Sequence, residues 1–390
     1  MIETQDSARR WPTAPPDGVL AGIMLSFLAT AGLFYVNIMA AIVDGLKNGL
    51  GFTDSQAGNV AAANIYGAAL GALIAIFLIK RVSWRYVAFG LLLTLIAIDL
   101  ASMVIISPVA MIGVRLLHGI AGGLLVGLSY GVIARVKNPD RTFGILLFVQ
   151  FGLGGLGVMT LPRLVPIYGA SVLFIALILF SLATLMMLPF LDRYPANEPR
   201  DKTMAGPVNW KPLLLTLGAI FLFQAANMGL LAYIIGLGID YGLERDYVST
   251  ALGLATWVAL AGPLVVIFMG VRFGRFWPLA IVMLLTLLGT AAFLWSANPV
   301  MYLLANCGTG ITWGMVMAYL LGMAAQFDKT GRTAAAAGFV SKVGLASGPL
   351  VVGQMLAAGF SYADMLYAVF VLLVLSMVVM LFPAAILDRK

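Results

Sequence analysis

Long apolar stretches follow one another along this chain, separated by short polar ones. Runs of roughly 20 apolar residues are long enough to cross the hydrocarbon core of a bilayer as helices. Twelve such runs can be read, near 19–43, 56–79, 86–106, 110–134, 143–163, 170–191, 212–238, 248–270, 278–296, 300–325, 333–358 and 364–386. At that depth no water satisfies the backbone, so each span must bond within itself, as a helix does. The short alternating segments of a membrane β-barrel are a different pattern. The elements predicted are therefore those of an all-α membrane protein with 12 transmembrane helices.

The longest polar segment, LDRYPANEPRDKTMAGPVNWKP at 191–212, follows the sixth span. It carries prolines, both charge signs and no apolar period, and reads as a linker. The organisation expected is a tail 1–18, a first bundle 19–191, a linker 192–211, a second bundle 212–386 and a tail 387–390. The halves echo one another. A shift of 191 residues aligns Arg141-Thr142 with Arg332-Thr333, Phe148-Val149 with Phe339-Val340, and Gly157 with Gly348. Two pseudo-symmetric six-helix bundles follow, as a parallel internal repeat would give.

Composition agrees: 62% of residues are hydrophobic and 10% charged, against about 25% charged in a typical soluble domain. The single cysteine, Cys307, excludes an internal disulfide and a thiolate metal cluster, and no metal is expected. Residues 1–18 lack a cleavable leader, and the first apolar run reads as the first helix. A net charge of +7 raises the question of nucleic acid, but its placement gives another answer. With the N-terminus inside, 18 of the 23 basic residues fall in inner segments. Only Lys47, Arg163 and Arg245 fall outside, while Arg115 and Lys342 lie within spans. Basic residues resist translocation, so both termini are expected in the cytoplasm and the chain in the plasma (inner) membrane. The inner charges serve retention and contact with lipid headgroups; nucleic acid is not an expected partner.

Local motifs add a family resemblance. GFTDSQAG (51–58) precedes the second span, RLLHGIAGG (115–123) puts an arginine before glycines in the fourth, and VRFGR (271–275) links spans eight and nine. With six spans, a basic linker and six more, the chain resembles the major facilitator superfamily over essentially its whole length. The resemblance implies alternating access between two rocking bundles. It also implies a central cavity lined by helices 1, 2, 4, 5, 7, 8, 10 and 11, and short basic loops that act in the conformational change. Arg81, Arg85, Arg272 and Arg275 would be those loop residues. The loop IKRVSWR (79–85) lacks the family's usual aspartate and glycine, and a Gly-Pro step appears in the eleventh span, GLASGPLVVG (344–353), instead of the fifth. Glycines 144, 152, 154, 155 and 157 of the fifth span are read as sites of close helix packing.

Ionisable residues inside a membrane are costly and are candidates for function. Asp99 and Arg115 flank the hairpin around Pro108, and at about 1.5 Å of rise per residue their depths differ by about 3 Å. A salt bridge between them would either pin the hairpin or hold a proton site on Asp99. His118, one turn from Arg115, has the pKa range for proton exchange. These three are the candidate proton-coupling residues, protons being the expected coupling ion. Asp44 and Asp364 lie near helix ends and are expected to be solvated.

Lys342 stands alone in the uncharged run from Thr333 to Gly359. Ten residues from the helix start place it about 15 Å deep, near the midplane. No acid occurs in its own helix, so a substrate-facing charge for an anion is favoured over a permanent counter-ion. Oxalate–formate exchangers of the same superfamily also place a lysine in helix eleven. Neutral polar residues at similar depth complete the candidate substrate site: Ser341, Tyr35, Asn37, Gln150, Gln224, Asn227, Asn306 and Trp313. Interhelical hydrogen bonding is the alternative role for any one of them.

Nothing marks an enzyme: there is no H-E-x-x-H, no glycine-lysine phosphate loop, and one histidine in all. No cofactor is expected. The function expected is a secondary active transporter of a small organic anion, a functional monomer in the lipid bilayer. Its rivals are a proton-driven efflux pump for drugs or amphipathic metabolites, which would want an acidic, aromatic cavity, and a lipid or lysolipid transporter, which would not need Lys342.

Overall fold

The computed structural model describes residues 13–78, 83–192, 194, 209–269, 272–327 and 332–389. Arg81, most of the linker and the extreme termini lie outside the described residues. The helices are α1 (Val19–Ala31), α2 (Phe34–Asn37), α3 (Met39–Leu50), α4 (Asp54–Leu78), α5 (Trp84–Ser102), α6 (Pro108–Ile133), α7 (Pro139–Tyr168) and α8 (Ser171–Met187) in the first half. The second half has α9 (Trp210–Asp240), α10 (Arg245–Val258), α11 (Ala261–Met269), α12 (Phe276–Ala292), α13 (Pro299–Gln326), α14 (Arg332–Ala357) and α15 (Tyr362–Asp388). Eleven spans are long and apolar enough to cross a membrane, and the broken helix α1–α3 supplies the twelfth. The chain is a multi-pass membrane protein.

Two spans depart from the continuous helices expected. The first runs on to Leu50 and is interrupted at Gly32–Leu33 and at Ile38. The interruption falls where α1 meets α6 backbone to backbone: a Cβ on Gly32 would lie 2.3 Å from the Gly122 carbonyl oxygen. The eighth span turns at Ala259–Leu260. Pro263 has no N–H to offer the Ala259 carbonyl, which is taken by the Gly262 N–H at 3.1 Å instead.

In lipid, helices gain little from apolar attraction and associate where small residues let backbones approach. The most extensive helix pair, α4 with α6, shows this from both sides. A Cβ on Gly67 or Gly71 would meet the carbonyl oxygens of Leu116 and Ile120 at 2.2 and 2.1 Å. One on Gly119 or Gly123 would meet those of Asn64 and Ala68 at 1.9 and 2.1 Å. In the second half, Gly344 and Gly348 of α14 press likewise on Phe221 and Ala225 of α9. The expectation for α7 needs correcting in part. Gly154, Gly155 and Gly157 are closely packed, but Gly144 and Gly152 have open space where a Cβ would stand. Their density reflected the helix as a whole, whereas packing depends on the face each glycine occupies.

The two halves begin on one side. The Ala14 N–H donates to Phe190 O at 2.8 Å, and the Asn209 N–H to Phe327 O at 3.3 Å. We call this the linker face and the other the distal face. Between the halves the main contacts are α4 with α14, α7 with α10, and α3 with α9.

Gly119→Val would force a branched side chain into backbone and cost at least about 1–3 kcal/mol, the usual range for overpacking. Thermal unfolding in detergent should show a Tm lowered by several degrees, while Gly144→Val, facing open space, should leave it nearly unchanged.

Candidate functional site

The two halves touch along two antiparallel seams that stop at mid-depth. On one, the Gln354 amide donates to Asn59 at 3.3 Å, the Tyr233 hydroxyl to the Asp54 carbonyl at 2.7 Å, and Tyr66 meets Ser347 at 2.8 Å. On the other, Gly155 packs against Gly253, and the Trp257 indole donates to Gly152 O at 3.0 Å. One turn nearer the linker face, on the same helix faces, Phe148 is 68% exposed and Leu70 45% exposed. Among the described residues, the halves meet at the distal face and give way to exposed side chains toward the linker face.

Lys342 sits where the closure ends. Five residues separate it from Ser347, about 7 Å along α14. It is half-buried, and none of the ion pairs among the described residues includes it. A buried ammonium without a carboxylate is tolerated only where water or an anion reaches it. Ser341 beside it accepts from the Gln224 amide at 2.8 Å, and Gln224 Oε1 accepts from the Trp313 indole N–H at 2.8 Å. Trp313 in turn meets Phe151 of the first half, with ring centroids 6.3 Å apart at 57°. Gln150, next to Phe151, has its Nε2 buried and without a hydrogen-bond partner, and so has Asn37 at Nδ2. Asn37 packs on Gly154, one turn along from Gln150. Thus Ser341, Gln224 and Trp313 form one connected group that reaches Phe151, with Lys342 next to Ser341 and Gln150 next to Phe151 along their helices.

Other expected members lie elsewhere. Asn306 is buried, bonded to Tyr302 O at 2.8 Å, and stands seven residues, about 10 Å, to the distal side of Trp313. Asn227 turns back to its own helix, at Phe223 O, 2.8 Å. Tyr35 is 2% exposed and faces Arg115 rather than the opening, with the guanidinium 5.7 Å from its ring. Phe151 was not picked out from the sequence, because an aromatic in an apolar run carries no local mark of what it faces.

Asp99, Arg115 and His118 do come together, in a sealed cluster. Arg115 Nη1 donates to Asp99 Oδ1 at 2.7 Å, and its Nη2 donates to Ser102. Phe174 and Tyr35 flank the guanidinium. His118 Nε2 stands 3.4 Å from Asp99 Oδ2. The Asn64 amide lies 2.9 Å from His118 Nδ1 and 3.2 Å from Arg115 O. An amide N–H donating to Nδ1 leaves the ring proton on Nε2, toward Asp99. Asp99 and Arg115 have no solvent exposure and His118 has 3%. The cluster binds α4, α5 and α6 to one another.

The distal face holds a second charged group, and here an expectation is overturned. Asp44, read as solvated, is 4% exposed and paired with Arg245 of the other half. The helix runs on past Asp44 to Leu50, so the carboxylate lies inside α3, where α7 and α9 pack against it and Arg245 reaches in from α10. Arg163 bridges to Asp246, Nε to Oδ1 at 3.3 Å and Nη2 to the carbonyl at 2.7 Å. Lys47 pairs with Asp54 and lies 5.9 Å from the Tyr233 ring of the second half. All three basic residues that depart from the inner bias are therefore engaged at the distal closure. Asp364 is exposed, as expected, and closes a capping box with Ser361.

Of the loop arginines, Arg85 bonds within its own half. Arg85 donates to Leu188 O at 3.2 Å and Pro189 O at 2.9 Å. The Asp388 carboxylate accepts from the backbone N–H groups of Arg275 and Phe276, each at 2.8 Å, capping α12 without the Arg275 side chain. Arg272 is exposed.

Two helical halves, closed on one side around a half-buried charge and open on the other, have the build of a carrier. The sequence matches the model of the Major Facilitator Superfamily over residues 20–349, and the chain belongs to that superfamily. Among solved structures it is similar to a point mutant of the nucleoside transporter NupG, with a TM-score of 0.71, 15% identity, and coverage of 94% of this chain and 98% of that one. It is also similar to a bacterial homologue of the human lysosomal transporter Spinster, solved inward-facing and unoccupied. That likeness has a TM-score of 0.68, 16% identity, and coverage of 96% and 97%. At such identities the likeness shows the fold alone. No curated protein sequence matches the chain.

Arg245→Met should leave Asp44 buried without its partner and loosen the distal closure. With Cys307 replaced and a single cysteine placed at Asn59, on the distal part of the α4–α14 seam, thiol labelling from the distal side should rise severalfold. The paired reversal Asp44→Arg with Arg245→Asp should bring it back toward the original level.

Proposed function

We propose that this protein is a secondary transporter of a small organic anion, with Lys342 as the anion's partner. The observation that carries the reading is the placement of that ammonium: half-buried, unpaired among the described residues, and located where the seams between the halves end. Gln150 and Asn37 offer further unpartnered amide groups, and Gln224 and Ser341 hold the surroundings in place. Alternating access supplies the cycle. With the linker face cytoplasmic, as the distribution of basic residues supports, the state described is open to the cytoplasm of a cell whose inner membrane holds the protein. A monomer suffices, since both halves and the site lie within one chain.

Lys342→Met removes the charge while keeping most of the side-chain volume. Loss of a charge-assisted contact worth about 1.5–3 kcal/mol corresponds to roughly 10- to 150-fold weaker anion binding. Ligand-induced thermal shifts across carboxylates, phosphates, amines and lipids would identify a binder, and titration of wild type and variant would measure the loss. Equal affinity in both would remove the lysine from the mechanism.

Proton coupling through Asp99, Arg115 and His118 is the second part of the proposal, and it requires their seal to open in another state of the cycle. In the state described, the cluster supports a pin. Removing one partner of a buried ion pair costs about 3–5 kcal/mol, so Asp99→Asn should lower thermal stability whichever role holds. Proteoliposomes with an imposed pH gradient separate the roles. Coupling predicts gradient-driven accumulation in wild type and equilibration alone in Asp99→Asn; indifference of the wild type to the gradient would end it.

The likeness to a nucleoside transporter suggests a neutral aromatic substrate, for which the Phe151–Trp313 pair is suited. Such a substrate gives Lys342 no task, and the anion is the better fit.

A further inference from the structure

We infer that Asn64 locks His118 in its neutral form with the ring proton on Nε2, so that His118 neither carries nor relays a proton and any proton the cluster takes up goes to Asp99. Asn64 is thus a positioning residue for the cluster. The assignment to Asp99 rests on the coupling reading above; the lock on His118 does not.

The lock follows from what each atom can do. Asn64 Nδ2 lies 3.2 Å from the Arg115 carbonyl oxygen and 2.9 Å from His118 Nδ1. A backbone carbonyl oxygen only accepts, so the amide nitrogen, and not the amide oxygen, must face it. The second hydrogen of that nitrogen then points at Nδ1, which must accept. An imidazolium would set one N–H against another. Turning the amide over would instead bring its oxygen against the Arg115 oxygen. Asn64 and His118 are both buried, where such a conflict is not relieved by water. Relay fails for the same reason, since Nδ1 meets only an amide, which has no acid proton to pass on.

Net charge does not choose between the two candidate sites. The charged or titratable groups facing His118 are Asp99 from α5, Arg115 from its own helix and Tyr35 from α2, while α4 brings the neutral Asn64. Asp99 and Arg115 already compensate each other, with Nη1 at 2.7 Å from Oδ1. An added proton therefore brings one unmatched charge wherever it sits, and hydrogen bonding decides. Asp99 Oδ2 stands 3.4 Å from His118 Nε2 and has no hydrogen-bond partner of its own. A carboxyl oxygen can hold a proton and still accept from Nε2–H. Nδ1, its single lone pair taken, cannot take another.

The lock persists through the cycle because both partners belong to one rigid pair of helices. Gly119, the neighbour of His118, packs on the Asn64 carbonyl itself: a Cβ there would lie 1.9 Å from that oxygen. One turn away on either side, Gly123 packs on Ala68 O and Leu116 O packs on Gly67. Alternating access moves one half against the other and leaves contacts of this kind within a half in place.

His118 is the chain's one histidine, so nitrogen-15 labelling of histidine gives a single imidazole to observe. Solid-state NMR of the full-length protein in lipid should show Nδ1 unprotonated and Nε2 protonated. That signature should hold from about pH 5 to 8, the range in which an unconstrained histidine changes charge. Asn64→Asp replaces the donor by an acceptor and should leave both ring nitrogens protonated at neutral pH. Asn64→Ala, which removes the donor and keeps the backbone contact with Gly119, should let His118 titrate within that range. A wild-type proton on Nδ1, or a wild-type ring that becomes doubly protonated in that range, overturns the lock without any variant. So does a spectrum that neither substitution changes. With the lock intact, gradient-driven accumulation that survives Asp99→Asn overturns the assignment to Asp99. Wild-type transport indifferent to an imposed pH gradient ends the coupling reading and that assignment with it, while the expected spectrum would still establish the lock.

Discussion

An ammonium near the middle of a bilayer has to be reached by water or by an anion, and the rest of this architecture follows from that requirement. Lys342 lies on a helix whose other face is fixed against α9 by Gly344 and Gly348, so the charge cannot withdraw by moving the helix alone. The seams close above it at Tyr66–Ser347 and Trp257–Gly152. Below them the side chains of Phe148 and Leu70 stand open. Desolvation of the charge is avoided in this state because access from the linker face remains. Any state that closes that face must supply another partner.

The closure opposite is built from charge as well as from packing. Arg245 with Asp44 and Arg163 with Asp246 span the halves, and Lys47 with Asp54 lies against Tyr233. Ion pairs suit a contact that must form and break, because each partner regains water when the halves part. Small residues serve the opposite purpose. The α4–α6 pair brings carbonyl oxygens to within van der Waals reach of glycines on both sides, and such contacts lose about a quarter to a half of their attraction over a gap of about 0.5–1 Å. The sealed group around Asp99 adds to the rigidity of the same three helices. Rigid units and breakable contacts therefore occupy different places: backbone packing and a buried charge cluster inside a half, ion pairs between the halves.

Much of this was legible in the sequence because it is written locally. A run of apolar residues as long as the bilayer is thick means a helix there whatever its neighbours are, since the backbone has no other partner in lipid. The lone positions of Asp99, Arg115, His118 and Lys342 were legible for the same reason: each contrasts with its immediate surroundings. The depth match of Asp99 and Arg115 across a short hairpin even gave their pairing, as the connection fixes which residues lie side by side.

What the tertiary structure alone decided are the relations between distant segments and the face each residue takes. Asp44 and Arg245 are 201 residues apart, and nothing near either announces the other; only the packing of α7 and α9 against α3, with Arg245 reaching in from α10, turns a carboxylate read as solvated into a buried one. Phe151 and Trp313 become a pair because two halves meet at that level, and Gly144 proves open where Gly155 is packed because rotation about one helix separates them. By itself the sequence determined how many helices span the membrane and which charges they carry. Which of those charges find partners was decided by the fold, because pairing depends on distances between helices, and helical periodicity fixes distances only along one.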